Sequence, residues 1–282
     1  MMTGTLYLVG TPIGNLSDFS PRGAETLSLV DFIAAEDTRV SLKLLNHFGI
    51  KKPLISYFAH NQRERGEQIV TRLLQGESCA LISDAGMPGI SDPGEELVAL
   101  CAEHSINVIC IPGPSAFVTA LALSGLPTGR FTFEGFLSTV TKARRAHLAA
   151  LKDEPRTMVF YEAPHKLPNT LRDMHEVWGD RRVTICRELT KRFEETIRTT
   201  LAEAAVRYAE DKPRGEVVLV IDGAPEPSPA EQAASLDDAL VRLHGLTESG
   251  LSLKDAVRQV AEESGLSKNL LYTEALKTRG DN

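Results

Sequence analysis

Short apolar runs alternate with longer amphipathic stretches through the first half of the chain. The runs are TLYLVG, DFIAAED, PLISYF, CALISDAG and NVICIPG, and the segments between them are long enough to hold helices. This alternation predicts βαβ units and a mostly parallel sheet covered by helices. Each run ends in a Gly, Pro, Asp or Ser cluster, and open α/β sheets bind ligands beyond the carboxyl ends of their strands. The chemistry is therefore expected along one edge.

A second series follows: FTFEGFL, RTMVFYEAP, RRVTICREL, EETIRTTL and GEVVLVIDG. Several of these runs lie too close together for a crossover helix, which predicts a mixed, partly antiparallel sheet. GAPEPSPAEQAAS is rich in Pro, Ala and Ser and reads as a linker. Beyond it, LSLKDAVRQVAEESGLSKNLLYTEAL has helical periodicity broken between Ser264 and Ser267, with Ser267 positioned to cap the second helix. The expected organisation is an N-terminal α/β domain at 1–115 and a second α/β domain with a mixed sheet at 116–223. A linker at 224–235 and a helix-turn-helix-like segment at 236–282 complete it.

A length of 282 residues agrees with two domains, and 42% apolar with 24% charged residues is ordinary soluble composition. The start, MMTGTLYLVGTPIG, has neither the basic lead nor the long apolar run of a signal peptide. No later stretch supplies about 18 uninterrupted apolar residues, so a cytoplasmic protein without a membrane partner is expected. Cys79, Cys101, Cys110 and Cys186 never fall into a C-x-x-C spacing and are expected to be buried, reduced thiols. The net charge of −7 argues against a general polyanion binder, yet residues 140–192 hold 12 Lys or Arg against 7 Asp or Glu. If the protein meets RNA, that segment is the expected contact.

Among the turns, Val9 to Asn15 departs from both G-x-G-x-x-G and the Walker sequence. Pro12 removes a backbone donor where a phosphate cradle needs one, so it reads as the wall of a pocket for a less anionic ligand. The segment from Ile82 to Gly94 makes a long shaped loop. Asp84 is expected to receive amino or hydroxyl groups of a ligand, and Asp92 to cap the next helix. In Ile111 to Ala116, two prolines around Gly113 either let a flat ligand approach closely or form a rigid hinge. Tyr161 is a packing residue or a ligand contact, and His165 a helix-start residue or a proton carrier. The alternating charges from Arg187 to Glu195 form a solvated face or part of the site.

These residues carry a close resemblance to the tetrapyrrole methylase family, in particular to its branch that methylates ribose 2′-hydroxyls in small-subunit ribosomal RNA. The strings are GTPIGNL, AAEDTR, SDAGMPGISDPG, PGPSAFVTAL, FYEAPHKL, RELTKRFEE and GEVVLVIDG, spread over residues 5–222. The resemblance implies two α/β domains with a cleft holding S-adenosyl-L-methionine, a homodimer, and 16S rRNA or the small ribosomal subunit as partner, with a decoding-centre cytidine as target. It implies cofactor contacts at Pro12, Asp84, Ala85, Gly86, Pro88, Pro112, Gly113, Ser115, Ala116, Tyr161, Gly215 and Glu216. The first turn is less glycine-rich than in tetrapyrrole-methylating relatives, and Ser-Asp-Ala-Gly stands where they carry Gly-Asp-Pro; both departures favour RNA over a corrin precursor.

Methyl transfer from a sulfonium needs in-line approach and relief of the hydroxyl proton, and no metal is expected. Glu162, Glu188 or His165 is the expected base, with Lys191 or Arg187 offsetting charge, and Lys142, Arg144, Arg145, Arg181 and Arg182 are expected on RNA phosphates. Two other readings stay open: a precorrin-type C-methyltransferase, and a ligand-sensing helix-turn-helix regulator. The second is disfavoured because Leu266 to Lys277 offers only Lys268 and Lys277 as cations.

Overall fold

The computed structural model describes residues 3–210, 213–226 and 229–280. Its first half alternates β1 (Thr5–Val9), α1 (Pro21–Leu29), β2 (Phe32–Ala35), α2 (Thr38–His47), β3 (Leu54–Ser56), α3 (Gln62–Leu74), β4 (Cys79–Ile82), α4 (Glu95–Glu103) and β5 (Asn107–Ile111). The strands form one parallel sheet in the order β3-β2-β4-β1-β5. Every residue of β2 and β4 is buried, as expected of central strands covered on both faces. Alternate residues of β2 feed two cores: Phe32 and Ala34 enter one, Ile33 and Ala35 the other. Helix α1 starts where Ser20 accepts the Gly23 amide at 2.9 Å with Pro21 in its first turn, and α2 starts where Asp37 accepts the Arg39 amide at 2.8 Å.

The second half continues with α5 (Ala116–Ser124), β6 (Phe131–Phe136), α6 (Thr141–Ala150), β7 (Thr157–Glu162), α7 (Leu167–Trp178), β8 (Arg182–Arg187), β9 (Glu195–Thr200), α8 (Leu201–Glu210) and β10 (Val217–Ile221). The sheet order is β6-β7-β10-β8-β9, parallel only at β6–β7. The mixed sheet read from strand spacing is therefore present. Helix α5 packs on this sheet, where Ala120 and Leu121 share a core with Val159, Val218 and Val220. Ile13, from the turn after β1, joins the same core and ties the two sheets together. Both sheets belong to one compact unit ending at Ala224, and a second unit starts at Pro225.

The second unit consists of α9 (Pro229–Glu248), α10 (Leu253–Ser264) and α11 (Lys268–Gly280), around a core that includes Leu243, Val257, Val260 and Leu271. The expected break is present: Gly265 ends α10 in the left-handed conformation at φ 71°. The linker expected at 224–235 is corrected, because α9 already begins at Pro229. Pro is well tolerated in a first helical turn, and Ala-Glu-Gln-Ala-Ala after it favours helix. Part of the expected linker, residues 227–228, lies outside the described residues. A second correction concerns Cys110, which is exposed on the edge strand β5, whereas Cys79, Cys101 and Cys186 are buried thiols.

Candidate active site

The ends of the strands meet at a cavity of about 390 Å³. The first sheet contributes Ile13 after β1, Glu36 after β2, Asp84 to Met87 and Ile90 to Asp92 after β4, and Ser115 and Ala116 at the start of α5. The second sheet contributes Phe136 at the end of β6, Tyr161 to Pro164 at the end of β7, and Glu216 and Val217 at the start of β10. Antiparallel pairing of Val217 with Glu162 is what brings a strand start beside a strand end.

Backbone fit shapes the first-sheet side. Thr11 and Gly86 exchange amide bonds of 2.8 and 3.2 Å, pinning the loop after β4 to the turn after β1. Gly10 and Gly113 approach so closely that a Cβ on Gly10 would lie 2.7 Å from the Gly113 Cα. Only glycine permits that contact. Ala85, Gly86 and Ala116 put small residues on this side of the cavity, beside Ile13, Met87 and Ile90. The opposite wall is aromatic: the Tyr161 ring meets Phe133 edge-on at 5.0 Å and Phe136 at 5.4 Å. The Tyr161 hydroxyl accepts the Phe117 amide at 3.3 Å, and burial pushes its pKa up.

Among the described residues no lining side chain is cationic, whereas Glu36, Asp84 and Asp92 share the cavity. Burial raises the carboxyl pKa of Glu36, against the bond its Oε2 accepts from the Asp84 amide at 3.4 Å. Burial also raises Asp84, whose Oδ1 accepts the Asp37 amide at 3.0 Å. Asp92 is pushed up to about 6, first by burial and then by the charge of Glu36, against a hydrogen bond with Ser83. A cavity of this character suits a cationic ligand. Asp92 was expected to cap a helix and does not: α4 starts after Gly94 with no side-chain cap.

At the rim, Lys191 Nζ donates to Glu188 Oε1 at 2.9 Å and to Glu216 Oε2 at 3.0 Å. Hydrogen bonding to Lys191 holds the Glu188 carboxyl below its ordinary range. Glu188 and Thr190 sit at φ 52° and 67°, and Ser91 on the cavity wall at 60°. Non-glycine residues rarely adopt such angles, and strain of this kind gathers at functional sites.

Of the residues expected on the cofactor, Asp84, Ala85, Gly86, Ser115, Ala116, Tyr161 and Glu216 line the cavity. Pro12, Pro88, Pro112, Gly113 and Gly215 do not line it; they shape the turns behind, and Ile13 takes the position expected of Pro12. Of the expected catalytic residues, Glu162 reaches the cavity, but its carboxylate accepts from the Ala163 amide at 2.8 Å and from the Thr170 hydroxyl at 2.5 Å. It fastens the start of the following helix rather than standing free to take a proton. His165 is exposed and outside the lining, and Arg187 is spent on Glu195 at 3.1 Å. Glu188 and Lys191 pair with each other at the rim.

The basic segment is also corrected. Arg144 is buried and donates through Nε to Asp173 at 2.7 Å, and Arg145 donates to the same carboxylate at 2.9 Å. Arg181 is buried over the Trp178 ring, 5.3 Å from its centroid, and Arg182 pairs with Asp222 at 2.7 Å. Carboxylates pair with Arg144, Arg145, Arg156, Arg182, Arg187 and Lys191, half of the segment's cations, and burial takes Arg144 and Arg181 away from any phosphate. Lys142 is exposed and has no ion-pair partner among the described residues. Charge counting found the cations but not their partners. Glu36, Asp92 and Phe136 were missed; their signal was the strand-end position of Glu36 and Phe136 and the small-residue loop around Asp92.

A parallel sheet and a mixed sheet thus share a strand-end cleft. The chain belongs to the family of tetrapyrrole (corrin/porphyrin) methylases, whose model matches residues 5–205, and the RsmI C-terminal HTH domain matches residues 230–279. Over 280 residues it is 50% identical to ribosomal RNA small subunit methyltransferase I of Synechocystis sp., covering 99% of each chain. Identity to the protein of the same name from Pseudomonas aeruginosa is 46%, again over 99% of both. Among solved structures, a cobalt precorrin-4 methyltransferase aligns with a TM-score of 0.59 at 16% identity over 77% of this chain and 94% of that one. Uroporphyrin-III C-methyltransferase from Thermus thermophilus, complexed with S-adenyl homocysteine, aligns at 0.54 and 19% identity over 77% and 97%. These two establish the shared fold.

Proposed function

We propose that this chain transfers a methyl group from S-adenosyl-L-methionine to the ribose 2′-hydroxyl of a decoding-centre cytidine in 16S rRNA. The observation that carries the reading is the carboxylate-bearing cavity, with no cation in its lining among the described residues, joined to near-full-length identity of 44 to 50% with ribosomal RNA small subunit methyltransferases I. The donor fits the residues present. Glu36 and Asp84 complement its ammonium and sulfonium charges, alanine and glycine on one side admit a flat purine, and Tyr161 and Phe136 offer aromatic faces. S-adenosyl-L-methionine supplies an electrophilic methyl on a cationic sulfur.

The chain's own part is to align the sugar hydroxyl, exclude water and accept a proton. As the ribose oxygen bonds to the methyl carbon and the carbon–sulfur bond breaks, the hydroxyl proton must leave. Asp92 is the proton acceptor in this reading. Glu162 is held by two donors and Glu216 is paired with Lys191, whereas burial and Glu36 keep Asp92 basic for a carboxylate. A pKa near the working pH is what general-base catalysis requires. Exposed Lys142, with no ion-pair partner among the described residues, is suited to offset RNA phosphate charge, whereas Lys191 is held by Glu188 and Glu216 at the rim. A cytoplasmic homodimer belongs to the same reading; the exposed Ile109 on edge strand β5 is an apolar position such an association would cover.

Incubation with labelled donor and either 30S subunits or a corrin precursor separates the substrate classes. Label is expected in the RNA of the subunit and not in the corrin. Transfer to the corrin, with none to RNA, overturns the reading.

A further inference from the structure

The C-terminal unit is acidic in sum, with 6 Lys or Arg against 8 Asp or Glu over residues 235–282, which argues against it as a reader of nucleic acid. The distribution argues the other way. Half of those cations, Lys254, Arg258 and Lys268, line one groove of about 220 Å³ between α10 and α11, together with Asn269 and Tyr272. Lys254 and Arg258 stand one turn apart on α10, as Lys268 and Tyr272 do on α11, so each helix turns one face to the groove.

The helix ends make the arrangement unusual. Lys254 is the second residue of α10 and Lys268 the first of α11, where the macrodipole is positive and carboxylates are favoured. In α10 the first turn also holds Asp255, which offsets Lys254, whereas the first turn of α11 holds no acidic residue, so Lys268 adds to the positive charge of that helix start. Arg258 has one carboxylate neighbour, Asp255 at 3.2 Å, and Lys254 and Lys268 have no ion-pair partner among the described residues. Tyr272 is 44% exposed, with its ring available for stacking.

We propose that this groove binds an unpaired stretch of RNA, with backbone phosphates on Lys254, Arg258 and Lys268 and one base stacked on Tyr272. Three cations beside a single aromatic face match a flexible single strand, whose phosphates and unstacked bases can be spread apart. Duplex DNA is the poorer fit, because an aromatic in the groove has no base face to meet in an intact duplex. The substrate identity of this RNA rests on the methyltransferase reading above; the groove itself does not.

The test uses the full chain, with 16S rRNA and a matched DNA duplex as probes. The Lys254→Glu/Lys268→Glu variant has a built-in control for folding, since glutamate in a first helical turn supports the helix. Its melting temperature is expected to equal or exceed that of the wild type. RNA affinity is expected to fall about tenfold or more, and the slope of log K against log salt to shrink by about two. Tyr272→Ala is expected to lose affinity with the slope unchanged, and Tyr272→Phe to retain it. At saturating RNA the methyl-transfer rate of each variant stays near wild type. Unchanged affinity and slope in the double variant, or tighter binding of the DNA duplex than of RNA, overturns the proposal. If the wild type binds RNA through this groove but methylates none, the groove stands and the catalytic reading falls.

Discussion

Replacing Asp92 with Asn is expected to slow single-turnover methyl transfer by about 10²- to 10⁴-fold, the range over which a positioned general base acts. The amide keeps the size of the side chain but cannot take the hydroxyl proton. Wild-type kcat/KM is expected to rise through about pH 6 as Asp92 ionises beside Glu36 and Asp84, and the variant to lose that rise. Stability supplies the control. Because its folded pKa is raised, Asp92 favours the fold most below the ordinary carboxylate range, and that contribution is lost as pH rises through about 6. Asp92→Asn should therefore be more stable than wild type at pH 8, by about 1 to 2 kcal/mol after allowance for its partial exposure, and not at pH 4. A variant that is slow yet more stable at pH 8 has lost chemistry rather than fold. Full activity in the variant removes Asp92 from proton transfer.

The second large effect is expected at Asp173, on the stability of the mixed-sheet half. Its carboxylate is fully buried between Arg144 and Arg145, which approach to 2.5 and 2.9 Å. Burial alone would raise its pKa, but the hydrogen bonds from both guanidinium groups prevail and hold it below the ordinary range. Asp173→Ala leaves Arg144 buried without its partner and is expected to cost about 3 to 5 kcal/mol, measured by urea unfolding. Arg145→Ala, at a position nearly half exposed, is expected to cost no more than about 1 kcal/mol. With its folded pKa depressed, Asp173 contributes stability above the ordinary carboxylate range and loses it as pH falls through the lowered value. The acid limb of unfolding should flatten in Asp173→Ala. Equal costs for the two variants would show that burial of the pair is not what matters.

Asp173 also illustrates what one-dimensional reading misses. The alternation of apolar runs made both sheets legible, because buried strands and amphipathic helices write their periods directly into the chain. The strand-end turns pointed to the cavity for the same reason: topology carries the ends of parallel strands to one edge. Pairing across space leaves no such trace. Arg144 and Asp173 are 29 residues apart, so the basic segment looked free until the fold brought the carboxylate in. Glu162 is the same lesson within the site, where a backbone amide and Thr170 occupy the oxygens that chemistry would need. Asp92 was misread in the other direction. A carboxylate just before a helix resembles a cap, and only the turn of the loop at Ser91 and Gly94 reveals that it faces the cavity.

Alignment of a methyl donor with a sugar oxygen in the strand-end cleft is the central proposal. Its most direct test is nucleotide-resolved mapping of methyl groups on 16S rRNA after reaction of unmodified small subunits with the purified chain and S-adenosyl-L-methionine. One new ribose 2′-O-methyl mark is expected, on a decoding-centre cytidine, and none when Asp92→Asn is used for the same short reaction time. Methylation of a base instead of a ribose, or RNA that returns unmodified from an enzyme that has consumed the donor, would contradict it.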